Sequence, residues 1–131
     1  IIEHIGSQDT RASFALHTQE KNGMNGKNWH STHFFDYPLS NDYHVYGVEW
    51  CQEEENGKDC IRFTVDGVEY ATAWENKIGD HDSWPFYKPH YFILNLAIGG
   101  NMGGKVDDAI FNQKRIMYVD WVRVYQRQEQ P

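Results

Sequence analysis

The stretch Ile61-Arg62-Phe63-Thr64-Val65-Asp66-Gly67-Val68 decides the fold class of this chain. Its apolar side chains recur at every second position up to Val65, a period typical of a strand with one buried face. Asp66-Gly67 is a strong hairpin signal, because a two-residue turn needs positive φ angles that Asp and Gly tolerate. The sequence therefore predicts an antiparallel hairpin whose second strand covers residues 68–74.

Further strand patterns lie on both sides of this hairpin. Upstream, residues 12–18 and 43–50 are typical of strands, while residues 19–31, with two Asn-Gly pairs, are predicted as a long surface loop. Downstream, residues 91–98 are apolar on both faces, which is typical of a central strand, and residues 116–125 are predicted as a last long strand. Many short strands and no long amphipathic helix predict an all-β fold, an antiparallel β-sandwich.

Length and composition limit the classes of protein to consider. The 131 residues suffice for one domain with its own core. The formal net charge of −7 argues against nucleic acid as a partner, since phosphates demand a basic surface. No stretch approaches the ~20 apolar residues of a membrane span. Aromatic residues make up 15% of the chain, which suits β-structure and also sugar binding, because flat rings cover the apolar faces of pyranoses.

Cys51 and Cys60 are the two cysteines of the chain. They flank the turn signal Asn56-Gly57, so a hairpin would bring them opposite each other. A disulfide there fits a secreted, periplasmic or cell-surface protein. The alternative is two unrelated buried thiols, and a zinc site is disfavoured because there is no second close cysteine pair.

The opening residues 1–6, with the sequence IIEHIG, place a carboxylate in a short apolar run. Glu3 between Ile2 and Ile5 would lose hydration, and a desolvated carboxyl group is suited to act as a general acid near neutral pH. The alternative is an edge strand from which Glu3 points into water, as most charged side chains do.

Taken together and in order, five segments resemble the laminarinase-like branch of glycoside hydrolase family 16. Any one of them is a weak signal, but the ordered set covers essentially the whole chain. The segments are residues 1–6 (IIEHIG), 15–18 (ALHT), 42–50 (DYHVYGVEW), 92–100 (FILNLAIGG) and 118–125 (YVDWVRVY).

The resemblance implies that residues 1–131 are the C-terminal half of a single β-jelly-roll catalytic domain. The family signature is E-x-D-x-x-E, in which the first Glu is the nucleophile and the last is the acid/base. Glu3 matches the last Glu, and the other two acids would precede Ile1. The chain begins without Met and shows no signal peptide, as expected of an internal piece.

The implied activity is that of a retaining endo-β-glucanase acting on β-1,3 or mixed β-1,3/1,4 glucans. A retaining glycosidase needs two carboxyl groups about 5–5.5 Å apart. The chain alone is therefore expected to be inactive unless the missing N-terminal half is supplied by a separate fragment or by the parent chain. The alternatives are an agarase or carrageenase of the same family, or a non-catalytic glucan-binding jelly roll.

Several other residues are candidates for substrate contact. His17 resembles a family histidine, and it shares a strand face with Ser13 and Ala15, whose small size suggests a cleft floor. Trp29, Trp84 and Phe86 lie in predicted loops, where they either stack on sugar or pack within the loop, while Trp50 and Trp74 are expected in the core.

Two polar residues in the C-terminal part complete the candidates. Asn95 interrupts an apolar strand, so it must bond either to substrate hydroxyls or to loop backbone. Asp120 corresponds to a position that helps to bind a structural calcium in this family, although one Asp is poor evidence for a site that needs 6–8 oxygens. No cofactor is expected for catalysis.

Overall fold

A computed structural model describes residues 2–55, 58–79 and 83–128 of the chain. The chain divides into two compact units, Ile1–Phe92 and Ile93–Pro131, which we describe separately. The single-domain organisation expected from chain length stays a prediction.

The first unit contains two antiparallel, three-stranded sheets. The strand order is β1-β2-β3 in the first sheet and β4-β5-β6 in the second sheet. The strands are β1 (Ile2–His4), β2 (Arg11–Leu16), β3 (Trp29–Phe34), β4 (Tyr46–Glu55), β5 (Lys58–Val65) and β6 (Val68–Trp74).

Helices are few and short. In the first unit there is an α-helical turn, α1 (Glu75–Ile78), and in the second unit α2 (Gly100–Gly103). Single 3₁₀ turns cover Gly6–Gln8, Leu39–Asn41, Pro85–Tyr87 and Asp108–Asn112. Within the described ranges, no helix has both the length and the apolar character that a membrane crossing requires.

The Asp66-Gly67 hairpin is confirmed. Val65 pairs directly with Val68, and the two turn residues have φ angles of 51° and 79°. Two positive φ angles are what a tight two-residue turn between twisted strands needs. The local sequence signal is therefore sufficient to define this turn.

The core of the first unit lies between the two sheets and follows the predicted alternation. Phe14 and its neighbours at every second position of β2 meet the apolar positions of β5, and the rings of Phe14 and Phe63 lie 5.3 Å apart. This packing confirms the all-β fold class, and the pair of sheets is consistent with a partial jelly roll. The main buried residues are Ala12, Phe14, Leu16, Phe35, Leu39, Ile61, Phe63, Val65, Ala73, Ile78, Trp84 and Phe86.

Cys51 and Cys60 form a disulfide. They are directly opposite on β4 and β5, with Cα atoms 5.0 Å apart, and both are buried. The hairpin pairing expected from their spacing is confirmed, although its turn residues Asn56-Gly57 lie outside the described residues.

Two expectations about the first unit are wrong. Residues 29–31 do not belong to a loop but begin β3, which pairs with β2 from Leu16↔Trp29 to Arg11↔Phe34. Trp50 is not in the core: β4 is an edge strand of the second sheet, where a side chain has fewer neighbours, and Trp50 remains 43% exposed. Trp74 is half-buried.

The strands predicted over residues 91–98 and 116–125 are also wrong. Neither segment is in a strand, and their apolar side chains are exposed, as in Ile93 and Val124, both at 72%. A strand satisfies its backbone N–H and C=O groups through a neighbouring strand. In the described part of the second unit, no strand is present to supply that pairing.

Candidate active site

Strand β1 places Glu3 on the side of the first sheet that faces away from the core. Ile2 packs against the core cluster, and successive side chains of a strand point to opposite faces. Glu3 is half-buried and pairs with Ser13 of β2. The strand does lie at an edge of its sheet, but the side chain is not fully open to water.

The register of the three strands identifies the neighbours of Glu3. Glu3 is opposite Ser13, which is opposite Thr32, and the hydroxyl oxygens of Ser13 and Thr32 are 3.5 Å apart. We call this surface the polar face. Its residues are Glu3, Arg11, Ser13, Ala15, His30, Thr32 and Phe34.

The polar face has small side chains at its centre, and polar and aromatic side chains surround them. Ser13 and Ala15 are buried although they point away from the core. His30 and Thr32 are exposed and can exchange hydrogen bonds with a ligand. Phe34 is 68% exposed, and strand geometry puts its Cα roughly 12 Å from that of Glu3, two strands across and two residues along.

His17 lies just beyond the end of β2 and is exposed. Its Nδ1 accepts a hydrogen bond from the N–H of Gly23 at 3.0 Å. An accepting Nδ1 places the proton of the neutral ring on Nε2, which is then available as a donor. A side chain at position 23 would crowd the ring, since an added Cβ would lie 3.3 Å from the His17 Cε1.

The aromatic residues predicted to stack on sugar instead lie in the core or pack against it. The Trp29 ring stacks on Phe63 with centroids 5.5 Å apart. Trp84 is 1% exposed and Phe86 is 8% exposed, so neither ring offers an open face to a sugar. Of the two alternatives for these three residues, stacking on sugar or packing within the protein, the structure shows packing.

Asn95 and Asp120 belong to the second unit, and both are exposed. The expectation that Asn95 needs a partner within a central strand is wrong, because its segment is not a strand and water can satisfy the amide. Across the described ranges, no three His, Cys, Asp or Glu side chains are grouped so as to hold a metal ion. The described side chains alone thus do not fit a calcium site, and the role of Asp120 stays a prediction.

Sequence reasoning missed three residues around Glu3. Thr32 and Phe34 lie in a strand with polar residues on both faces, so no alternation of apolar and polar residues indicates it. Its aromatic and Thr content is the signal that could have identified a strand. His4, next to Glu3, has both ring nitrogens close to oxygens of residues five and seven positions away. No sequence pattern announces that contact.

Comparison with known proteins identifies the family. The chain belongs to glycosyl hydrolases family 16, since the model of that family matches residues 1–123. The resemblance seen in the ordered sequence segments is therefore confirmed. No solved structure matches the chain.

Relatives with a described activity support the laminarinase-like branch. The chain is 33% identical to a beta-glucanase of Rhodothermus marinus, over 95% of this chain and 43% of that protein. It is 39% identical to glucan endo-1,3-beta-glucosidase A1 of Niallia circulans, over 69% of this chain and 13% of that protein. It is also 33% identical to the clotting factor G alpha subunit of Tachypleus tridentatus, over 95% of this chain and 17% of that protein. The chain thus spans less than half the length of these relatives.

Proposed function

We propose that this chain is part of a retaining endo-β-glucanase that hydrolyses β-1,3 or mixed β-1,3/1,4 glucans. The observation that carries the proposal is the position of Glu3, a half-buried carboxylate on a sheet face that also presents hydroxyl, imidazole and aromatic groups. Sugar recognition uses the same combination of groups. The family and the names of two relatives support the same class of substrate.

Glu3 acts as the acid/base in this proposal. In the first step its carboxyl proton passes to the glycosidic oxygen while a second carboxylate attacks the anomeric carbon, and the glycosidic bond breaks. In the second step the Glu3 carboxylate takes a proton from water, and the resulting hydroxide attacks the anomeric carbon and displaces the enzyme carboxylate. Two successive inversions leave the anomeric configuration retained.

The nucleophile is assigned to residues outside this chain. The polar face, as far as the structure describes it, contains no carboxylate other than Glu3. The E-x-D-x-x-E resemblance would put the nucleophile before Ile1. The partner of this chain in catalysis is therefore the N-terminal half of the same domain.

The remaining groups of the polar face bind the glucan. Thr32 and His30 exchange hydrogen bonds with sugar hydroxyls, and Phe34 covers the apolar face of a pyranose ring at some distance from the cleaved bond. His17 donates from Nε2, since its Nδ1 is already occupied by Gly23. The Cys51–Cys60 disulfide supports a secreted, periplasmic or cell-surface location.

The test is a Glu3→Gln change in the complete protein. Loss of an acid/base group costs about 10²–10⁴-fold in rate, so we expect glucan hydrolysis to fall by that factor while glucan binding is kept. Glu20→Gln is the matched control, because the Glu20 carboxylate accepts a hydrogen bond from the Ser83 hydroxyl and Gln can still accept it. NMR of the first product checks that the anomeric configuration is retained.

Two results would overturn parts of the proposal. Hydrolysis that survives Glu3→Gln within about twofold removes Glu3 from the mechanism. A complete parent protein that binds glucan but does not cleave it favours the non-catalytic binding module.

A further inference from the structure

The imidazole ring of His4 is held at both of its nitrogens. His4 ends β1 and directly follows Glu3. Its Nδ1 lies 3.0 Å from the carbonyl oxygen of Arg11, and its Nε2 lies 3.3 Å from Oδ1 of Asp9. The ring therefore connects β1 both to the first residue of β2 and to the loop between the two strands.

The two partners restrict the protonation state of the ring. A carbonyl oxygen and an ionised carboxylate can only accept hydrogen bonds, and a neutral imidazole has a single N–H. Either neutral tautomer would leave a ring lone pair facing an oxygen. Only the doubly protonated ring of His4 donates to both Arg11 and Asp9.

Asp9 is itself fixed by a distant part of the chain. The N–H of Ser40 donates to Oδ1 of Asp9 at 3.0 Å, and the Ser40 hydroxyl donates to Oδ2. The N–H of Leu39, a core residue, donates to the Asp9 carbonyl at 2.9 Å. The hydrogen bonds from Ser40, with smaller contributions from His4, lower the pKa of Asp9 although desolvation opposes them, and the lowered pKa favours the carboxylate form.

The length of β1 makes these side-chain contacts important for Glu3. The strand has three residues, and its pairs with β2 are Ile2↔Phe14, Glu3↔Ser13 and His4↔Ala12. In such a short ladder, the anchors at the two ends determine where the middle residue lies. Ile2 packs against the core at one end, and His4 is held by Asp9 and Arg11 at the other.

We propose that His4, as an imidazolium held between Asp9 and the Arg11 carbonyl, is a positioning residue for Glu3. The proposal rests on the proposed function, in which Glu3 is the acid/base. Two charged groups adjoin the contact in the chain: the Arg11 guanidinium donates to the Gln8 side chain, and Glu3 points to the opposite face of β1. The contact requires the charged ring, because only that form donates to both partners at once.

A double-mutant cycle of His4→Gln and Asp9→Asn tests the contact in the full natural polypeptide. Unfolding is measured at pH 5 and pH 8.5, which bracket the ordinary titration range of imidazole. We expect the two residues to be coupled about two- to fivefold in the unfolding equilibrium constant at pH 5 and uncoupled at pH 8.5. The control cycle pairs Asp9→Asn with His90→Gln, an exposed histidine whose Nδ1 lies 2.6 Å from the Lys88 carbonyl, and these two residues should be uncoupled at both pH values.

A comparison of two substrates tests whether the contact positions the acid. A misplacement of about 1 Å can cost about 10²-fold in rate. We expect His4→Gln to lower kcat on β-glucan at least tenfold at pH 5. The same variant should release the first equivalent of phenol from an aryl β-glucoside nearly as fast as the parent does in a single-turnover assay, because a good leaving group departs without a proton from Glu3, whereas later turnovers need Glu3 as a base.

The outcomes separate the proposal from the function on which it rests. Equal losses on both substrates, or no coupling between His4 and Asp9 at pH 5, overturn the positioning role. If the parent protein cleaves no glucan, the proposed function fails, and the unfolding cycle still decides whether the charged contact exists. If His4→Gln does not fold, Asp9→Asn with both substrates gives the same decision, since Asn still accepts from Ser40.

Discussion

Replacing Asp66 with alanine tests how the hairpin turn holds the start of the second sheet. Asp66 has a φ of 51°, and its carboxylate accepts hydrogen bonds from the N–H of Val45 at 2.8 Å and from Nδ1 of His44 at 2.7 Å. The backbone N–H of Asp66 donates to the Val45 carbonyl at 2.9 Å. The substitution removes the two side-chain bonds and leaves the backbone bond in place.

The expected loss in the free energy of unfolding follows from these contacts. A hydrogen bond to a charged group contributes about 1.5–3 kcal/mol, and we take the lower end because the Asp66 side chain is 45% exposed. Two such bonds give about 3 kcal/mol, and alanine tolerates the left-handed region less well than Asp, which adds up to about 1 kcal/mol. We expect about 3–4 kcal/mol for Asp66→Ala and less for Asp66→Gly, because glycine adopts a positive φ without strain.

The pH dependence gives a second check. Burial alone would raise the pKa of Asp66, but the hydrogen bonds from His44 and Val45 outweigh it, and the pKa is lowered. A lowered pKa in the folded state contributes stability that is fully present above the unfolded value of about 3.9 and is lost as the pH falls through the folded value. The difference in stability between the parent and Asp66→Asn should therefore shrink below about pH 4.

Urea unfolding followed by circular dichroism measures these differences. Asp66→Asn is the matched control, since it keeps an acceptor and tolerates a positive φ but carries no charge. If Asp66→Ala and Asp66→Gly lose the same stability, strain does not contribute. If the parent and Asp66→Asn differ equally at pH 3 and pH 7, the charge of Asp66 is not the source of the stabilisation.

Three further predictions concern the core, a strand contact and the polar face. Phe63→Ala, which empties a fully buried position, should cost about 3–5 kcal/mol in urea unfolding. Gly47→Ala should cost about 1–3 kcal/mol, because the new Cβ would collide with the Thr64 hydroxyl, whereas Gly6→Ala, with open space around it, should cost under about 1 kcal/mol. Phe34→Ala should weaken glucan binding about two- to tenfold in equilibrium binding assays while leaving unfolding unchanged, since its ring is exposed.

Local signals explain which parts of the fold could be predicted. The Asp66-Gly67 turn and the Cys51–Cys60 pair depend on residues close in sequence, so their geometry follows from short-range rules. The strands over residues 91–98 and 116–125 depend on neighbours that an apolar run does not identify. Strand propensity describes a side chain that fits a pleated surface, and pairing has to come from elsewhere in the protein.

The candidate site shows the same division. Once β1 and β2 pair, the apolar side chains of both strands must lie on the same, core-facing side of the sheet. This requirement sets the register that brings Glu3 beside Ser13. Trp84 lies in a segment whose composition predicts a loop, yet its side chain is buried in the core, because burial depends on which elements pack over it. The contact from Ser40 to Asp9 spans 31 positions, and no periodicity connects residues so far apart.

The two faces of β2 are subject to different demands, and this explains its sequence RASFAL. Phe14 and Leu16 fill the space between the sheets, where volume stabilises the fold. Ser13 and Ala15 point the other way and are nevertheless buried, with Glu3 and Thr32 beside Ser13 and His30 beside Ala15. Large residues at these two positions would add no packing to the core, and they would occupy the space beside Glu3 on the polar face. Small residues on that face are therefore what a binding surface requires and a purely structural strand does not.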